Sequence, residues 1–275
     1  MPRLLVTGLA GYLGSGLARS AVAGGWGVAG TVLDRPGPPD VPAHRVDVRD
    51  AGAVLALVRR ERPDCVVHTA YRMGGDDMRS VNVDGAAAVA AAARAAGARL
   101  VHLSTDVVFS GALGRPLRED DPVDPVTAYG ATKAEAEAAV AAAHPGALLA
   151  RTSLLYGGAE PSNHERLALD AAAGARHDVR FFTDELRCPT AVGDLAAALL
   201  ELAVLDIAGP LHVAGADALT RLEFARLVVA ARGGDPERVR GGEGGPDRPK
   251  ACALDSSRAA GLLRTRLRGA REVLA

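Results

Sequence analysis

Arg3-Leu4-Leu5-Val6-Thr7-Gly8-Leu9-Ala10-Gly11-Tyr12-Leu13-Gly14 joins a short apolar run to G-x-x-G-x-x-G and then to a helical pattern over residues 12–23. Glycines permit a tight strand-to-helix turn and close backbone approach. The helix amino terminus then offers N–H groups and a positive dipole to an anion. With 32 glycines in the chain, such spacings also arise by accident, so the context carries the argument: this pattern ends a first strand and opens a helix. There, Gly8, Gly11 and Gly14 with Tyr12 and Leu13 predict a cradle for the pyrophosphate of a dinucleotide.

Working outward, short apolar runs at 27–33, 44–47, 64–69, 99–104 and 147–152 alternate with helical patterns at 50–61, 78–96 and 127–144. Continuous apolar strands between helices predict a doubly wound, parallel α/β sheet of the Rossmann type, with ligands at the strands' carboxyl ends. After Arg151 the rhythm loosens into Gly- and Pro-bearing segments, with a strand expected at 179–182 and a helix at 194–205. The expected division is a dinucleotide-binding domain over 1–152, with a return segment at about 178–205. The remaining 153–177 and 206–275 form a smaller substrate-binding region.

Composition narrows the function. The 275 residues carry 32 Lys plus Arg against 33 Asp plus Glu, and aromatics make up 3%. That balance suits neither a polyanion partner nor base stacking, so no nucleic acid is expected. Three cysteines, Cys65, Cys188 and Cys252, are too few and too scattered for a disulfide framework or a metal cluster. The seven histidines show no metal-binding spacing, so His68, His102 and His164 read as structural or pocket-lining. No run is long and apolar enough for a membrane helix. The apolar start imitates a signal peptide only loosely, being cut by Gly8, Gly11, Gly14, Gly16 and Arg19. A cytoplasmic protein is the expectation.

The end of the second strand, Thr31-Val32-Leu33-Asp34-Arg35, bears on the cofactor. An acid there binds a ribose 2′-hydroxyl and an arginine a 2′-phosphate. Asp34 and Arg35 supply both, so NADPH, the preferred reading through Arg35, and NADH both stay open. The chain has only two lysines and four tyrosines, yet Lys133 follows Tyr129 by four residues. On a helix the two share one face. A tyrosine with its pKa near 10 holds its proton tightly, and a neighbouring ammonium lowers that pKa until the phenol serves as an acid or base. Upstream, Ser104 and Thr105 close the fifth strand; either hydroxyl can orient a substrate carbonyl, and Thr105 is preferred.

These residues resemble an extended short-chain dehydrogenase/reductase, and more narrowly the dTDP-4-dehydrorhamnose reductase branch. Further matches are Val81-Asn82, Asp106-Val107-Val108-Phe109, Arg151-Thr152-Ser153, Cys188-Pro189-Thr190, and Arg248-Pro249 before Leu254-Asp255. The resemblance implies a Thr105–Tyr129–Lys133 triad. Tyr129 protonates the developing alkoxide, Lys133 holds the nicotinamide ribose and Thr105 orients the carbonyl of a nucleotide-linked deoxysugar. It also implies Asp47 near the adenine, Ala70 along the cofactor, Asn82 as a candidate for cofactor contact, helix geometry or a proton path, Arg187 and Arg248 facing the substrate, and a homodimer. One loop departs from the family pattern: His68-Thr69-Ala70-Tyr71-Arg72-Met73-Gly74 stands where Asn-Ala-Ala is usual. Asp106-Val107 lacks the glutamate of the related dehydratases, which disfavours that reaction, while 4-epimerase stays open. The rival from another class is a non-catalytic dinucleotide-binding regulatory subunit, against which the intact triad argues.

Overall fold

Leu4, Leu5 and Val6, and later Cys65, Val66 and Val67, are buried on successive residues. A strand hidden on both faces belongs inside a sheet covered by helices on either side. A computed structural model describes all 275 residues in that arrangement. β1 (Arg3–Thr7), α1 (Tyr12–Ala23), β2 (Gly27–Val32), β3 (Ala43–Arg45), α2 (Ala51–Glu61) and β4 (Cys65–His68) come first. A π-helical turn (Ser80–Gly85) then continues as α3 (Ala86–Ala95), followed by β5 (Arg99–Thr105), α4 (Ala128–Ala143) and β6 (Leu148–Thr152). A seventh strand, Gly209–His212, joins the far side of β6, so the sheet runs β3-β2-β1-β4-β5-β6 and then this strand.

β1 pairs in parallel with β2 and β4, β2 with β3, and β4 with β5. The order reverses between β1 and β4, and ligands of open α/β sheets bind beyond the strand ends at such a reversal. Register sets Thr7 beside His68 and His68 beside His102, a polar row across three central strands.

The expected helix over 78–96 divides in two. Its first part is the π-helical turn, where Asn82 is tied sideways to Arg72 and Thr132. Within it, a Cβ on Gly85 would press on Val48 at 2.7 Å. Alanines then line the buried side of α3, which packs between α2 and α4. α2 begins at Asp50, whose carboxylate accepts the Ala53 N–H at 2.9 Å.

The chain forms two compact units. The first comprises residues 1–105, 128–150 and 196–211, and the second 106–127, 151–195 and 212–275. These bounds differ from the expected division at two places. Residues 106–127 join the second unit, where Asp106 meets Ser153 and Arg187, and Leu117 pairs with Ala253 and Asp255. Of the expected return segment, residues 178–195 stay with the second unit, while 196–205 and the following 206–211 belong to the first, where Arg99 donates to the carbonyls of Leu202 and Ile207. The second unit has its own core around Tyr156, Phe181, Phe224 and Val228. Its helices α5 (Asn163–Ala173) and α6 (Arg221–Ala231) each open on a capping box, Ser162 with Glu165 and Thr220 with Glu223.

Candidate active site

The turn after β1 is shaped by missing side chains. Gly8 has φ +75°, and a Cβ there would stand 2.9 Å from the Ala70 backbone. A Cβ on Gly11 would stand 3.0 Å from the Gly8 carbonyl oxygen, and one on Gly14 would overlap it. The turn is pinned by Gly11 N–H to Gly8 O at 2.9 Å and by the amides of Gly8 and Leu9, which donate to Thr31. No side chain caps α1. An uncapped amino terminus over a glycine turn suits an anion, and the cradle that Cβ atoms would fill fits a dinucleotide's pyrophosphate.

On α4, Tyr129 and Lys133 stand one turn apart on one face. Thr132 donates its hydroxyl to the Tyr129 carbonyl at 2.8 Å and accepts from Asn82 at 2.9 Å. Lys133 is 4% exposed, and its Nζ donates to the Leu103 carbonyl at 2.6 Å and lies 3.3 Å from His102 Nε2. The ammonium is thereby fastened to β5 just before the strand ends at Thr105. Burial pulls the Lys133 pKa down to about 8, with the Glu137 carboxylate opposing the shift; at neutral pH the charge persists. The two candidate hydroxyls separate here. Ser104 is buried and donates to Glu137. Thr105, next along the strand, points to the opposite face and is half-buried.

The loop after β4 brings two residues whose only sequence signal was its departure from the family pattern. The rings of Tyr71 and Tyr129 lie 5.9 Å apart, tilted by 53°. Arg72 reaches Asp34 at 3.9 Å and Asp77 at 3.6 Å. Arg35, beside Asp34, is exposed. Asp47 is held by both its oxygens on Arg49, which keeps its carboxyl below the usual range. Asn82 is 1% exposed. Its Oδ1 accepts the Arg72 N–H at 2.8 Å, and its Nδ2 donates to the Arg72 carbonyl and to Thr132. Asn82 thereby clamps this loop to the first turn of α4.

In the second unit, Arg187 departs from the expected role of facing substrate. It is 2% exposed, and its guanidinium is taken up by Glu185 and by the carbonyls of Leu186, Pro249 and Lys250. Arg187 holds the Pro249–Lys250 backbone in place. Arg248 remains accessible on that segment, with its guanidinium 4.5 Å above the Phe182 ring and paired to Glu185.

A parallel sheet that reverses at a glycine turn, and a buried lysine four residues beyond a tyrosine, define a short-chain dehydrogenase/reductase. Comparison with known proteins narrows the class. The chain belongs to the RmlD substrate binding domain family, whose model matches residues 2–275, and it is an oxidoreductase. It is 35% identical to dTDP-4-dehydrorhamnose reductase of Mycolicibacterium smegmatis, over 99% of this chain and 84% of that protein. The crystal structure of WbmH from Bordetella bronchiseptica in complex with NAD+ shares the fold at a TM-score of 0.86 and 24% identity, covering 100% of this chain and 96% of that one. So does dTDP-4-dehydrorhamnose reductase of Bacillus anthracis in complex with NADP, with a TM-score of 0.83, 24% identity, and coverage of 100% and 97%.

Proposed function

We propose that the chain is an NADPH-dependent ketoreductase that reduces the 4-keto group of a dTDP-linked deoxysugar. The observation that carries this reading is the α4 pair, a tyrosine one turn from a buried ammonium tied to the end of β5. When bound, the reduced nicotinamide supplies a hydride. Thr105 orients the ketone oxygen, and the Tyr129 phenol gives its proton to that oxygen as it becomes an alkoxide. Lys133 stabilises the phenolate left behind and holds the nicotinamide ribose. Gly8, Gly11 and Gly14, with the amides of Tyr12 and Leu13, take the pyrophosphate, and Ala70 closes against it. Asp47 lies toward the adenine.

The preference for the phosphorylated cofactor rests on two arginines, the exposed Arg35 next to Asp34 in the chain and Arg72, 3.9 Å from the Asp34 carboxylate. A lone acid at this place would repel a 2′-phosphate, whereas two arginines attract it. The second unit is read as the substrate-binding region, with Arg248 toward the sugar nucleotide's diphosphate. The relative named dTDP-4-dehydrorhamnose reductase supports this choice of substrate class.

The test is to incubate the protein with NADPH and a panel of dTDP-4-keto-6-deoxysugars and follow the reduced-nicotinamide absorbance. Turnover is expected, and Tyr129→Phe should lower kcat by about 10²–10⁴-fold with NADPH binding retained. Absence of oxidation with every keto-sugar overturns the reading.

A further inference from the structure

In the first unit, three buried polar side chains that the reaction does not itself require lead in a line to Lys133. Thr7 Oγ1 and His68 Nδ1 lie 2.6 Å apart. The His68 and His102 rings stack with centroids 5.2 Å apart and planes 26° from parallel. His102 Nε2 lies 3.3 Å from Lys133 Nζ. All four are nearly sealed, at 1%, 1%, 0% and 4% exposure. Thr7, His68 and His102 continue the buried apolar runs Leu4–Val6, Cys65–Val67 and Leu100–Val101, where a leucine or valine would match its neighbours. Instead, His68 Nε2 and His102 Nδ1 are buried with no protein hydrogen-bond partner. An unsatisfied buried nitrogen is retained against a penalty, which calls for a reason beyond packing.

We propose that His102 is a positioning residue for Lys133: its Nε2 lone pair accepts one N–H of the ammonium and keeps the charged group aimed from beneath. The inference rests on the proposed role of Lys133 in the reductase site. An ammonium has three N–H groups and no acceptor. The Leu103 carbonyl takes one and His102 takes a second, leaving one for a cofactor hydroxyl. To accept at Nε2 the imidazole must be neutral with its proton on Nδ1. Burial and the neighbouring Lys133 charge both hold it neutral, and His68, likewise neutral and anchored by Thr7, packs flat against it. The ionisable groups around Lys133 are His102 on β5, His68 on β4, and Glu137 and Tyr129 on its own helix, with Tyr71 standing against Tyr129. Of these, His102 meets Nζ directly, so replacing it with an apolar residue disfavours the ammonium and draws the Lys133 titration toward lower pH.

The chain has only two lysines, which makes this measurable without turnover. Full-length protein labelled at lysine Cε gives two NMR titrations, assigned with Lys250→Arg. His102→Leu and His102→Met are each expected to lower the Lys133 titration by on the order of one pH unit. His102→Gln, which keeps an acceptor, is expected to leave it near the wild-type position. The alkaline limb of kcat/KM should move with it. An unmoved Lys133 titration in a folded apolar variant overturns the proposal. The wild-type protein supplies a second arm: imidazole ¹⁵N shifts must show His102 neutral and protonated on Nδ1 at neutral pH. A charged His102, or a proton on Nε2, also overturns it. If no keto-sugar is reduced, the function reading fails while both titrations still judge His102.

Discussion

Arg72 is the side chain on which the proposed cofactor preference turns. Its guanidinium meets Asp34 at 3.9 Å, and Asn82 holds its backbone from both sides. A 2′-phosphate arriving there gains a charge-assisted partner that a ribose hydroxyl needs far less. Arg72→Ala should therefore cut kcat/KM for NADPH by about ten- to a hundredfold while that for NADH changes little, read as the ratio of the two. Acid stability also belongs to single residues. Burial, helped by the Lys133 charge, pulls His68 down to about 3, and burial with Arg221 alongside pulls His164 to about 4. From pH 6.5 downward, the unfolded chain takes up protons that the folded chain refuses, so stability present above that pH drains away through the window between 6.5 and those values. The urea midpoint should fall between pH 7 and pH 5, with a loss of about 2 kcal/mol for each buried histidine. A flat midpoint over that range would contradict the burial of these rings.

Among the elements, the π-helical turn has the most to do with the site. Its Asn82 fastens the Tyr71–Arg72 loop on one side and, through Thr132, the first turn of α4 on the other. Asn82→Ala leaves these polar groups without their partner, at about 1–3 kcal/mol, and frees the loop. Denaturant melts should report the destabilisation, and the KM for NADPH should rise with it; a stable variant with unaltered KM would show that the clamp is idle. Elements also differ in how openly the sequence declares them. α1 is legible to the residue, because glycines bound it at both ends and an apolar stripe runs between. The π-helical start of the third helix is not, since an alanine-rich pattern reads as continuous helix and the clamp comes from residues 10 and 50 positions away. α5 and α6 escape a reading by apolar rhythm, although S-x-x-E at Ser162 and T-x-x-E at Thr220 mark both starts.

At the scale of the whole molecule, cofactor and sugar nucleotide should leave separate imprints. Amide exchange is expected to slow at residues 8–14 and 69–72 with NADPH alone, and around Arg248 with dTDP alone. Protection confined to the first unit by both ligands would remove Arg248 from the substrate site. The doubly wound sheet, the glycine cradle and the Tyr129–Lys133 face are all readable in the sequence, because each depends on neighbours within a few positions: strand, turn and helical periodicity are local properties. The engagement of Ser104 needed α4 to bring Glu137 onto it. The sealing of Arg187 needed a segment some 60 residues further along the chain. The imidazole row needed three strands in register and a helix laid over them. Local sequence thus determined which chemistry the chain carries. Only the packing of distant segments decided which polar groups meet it and which are buried out of reach, because burial and pairing arise between residues that the linear order keeps apart.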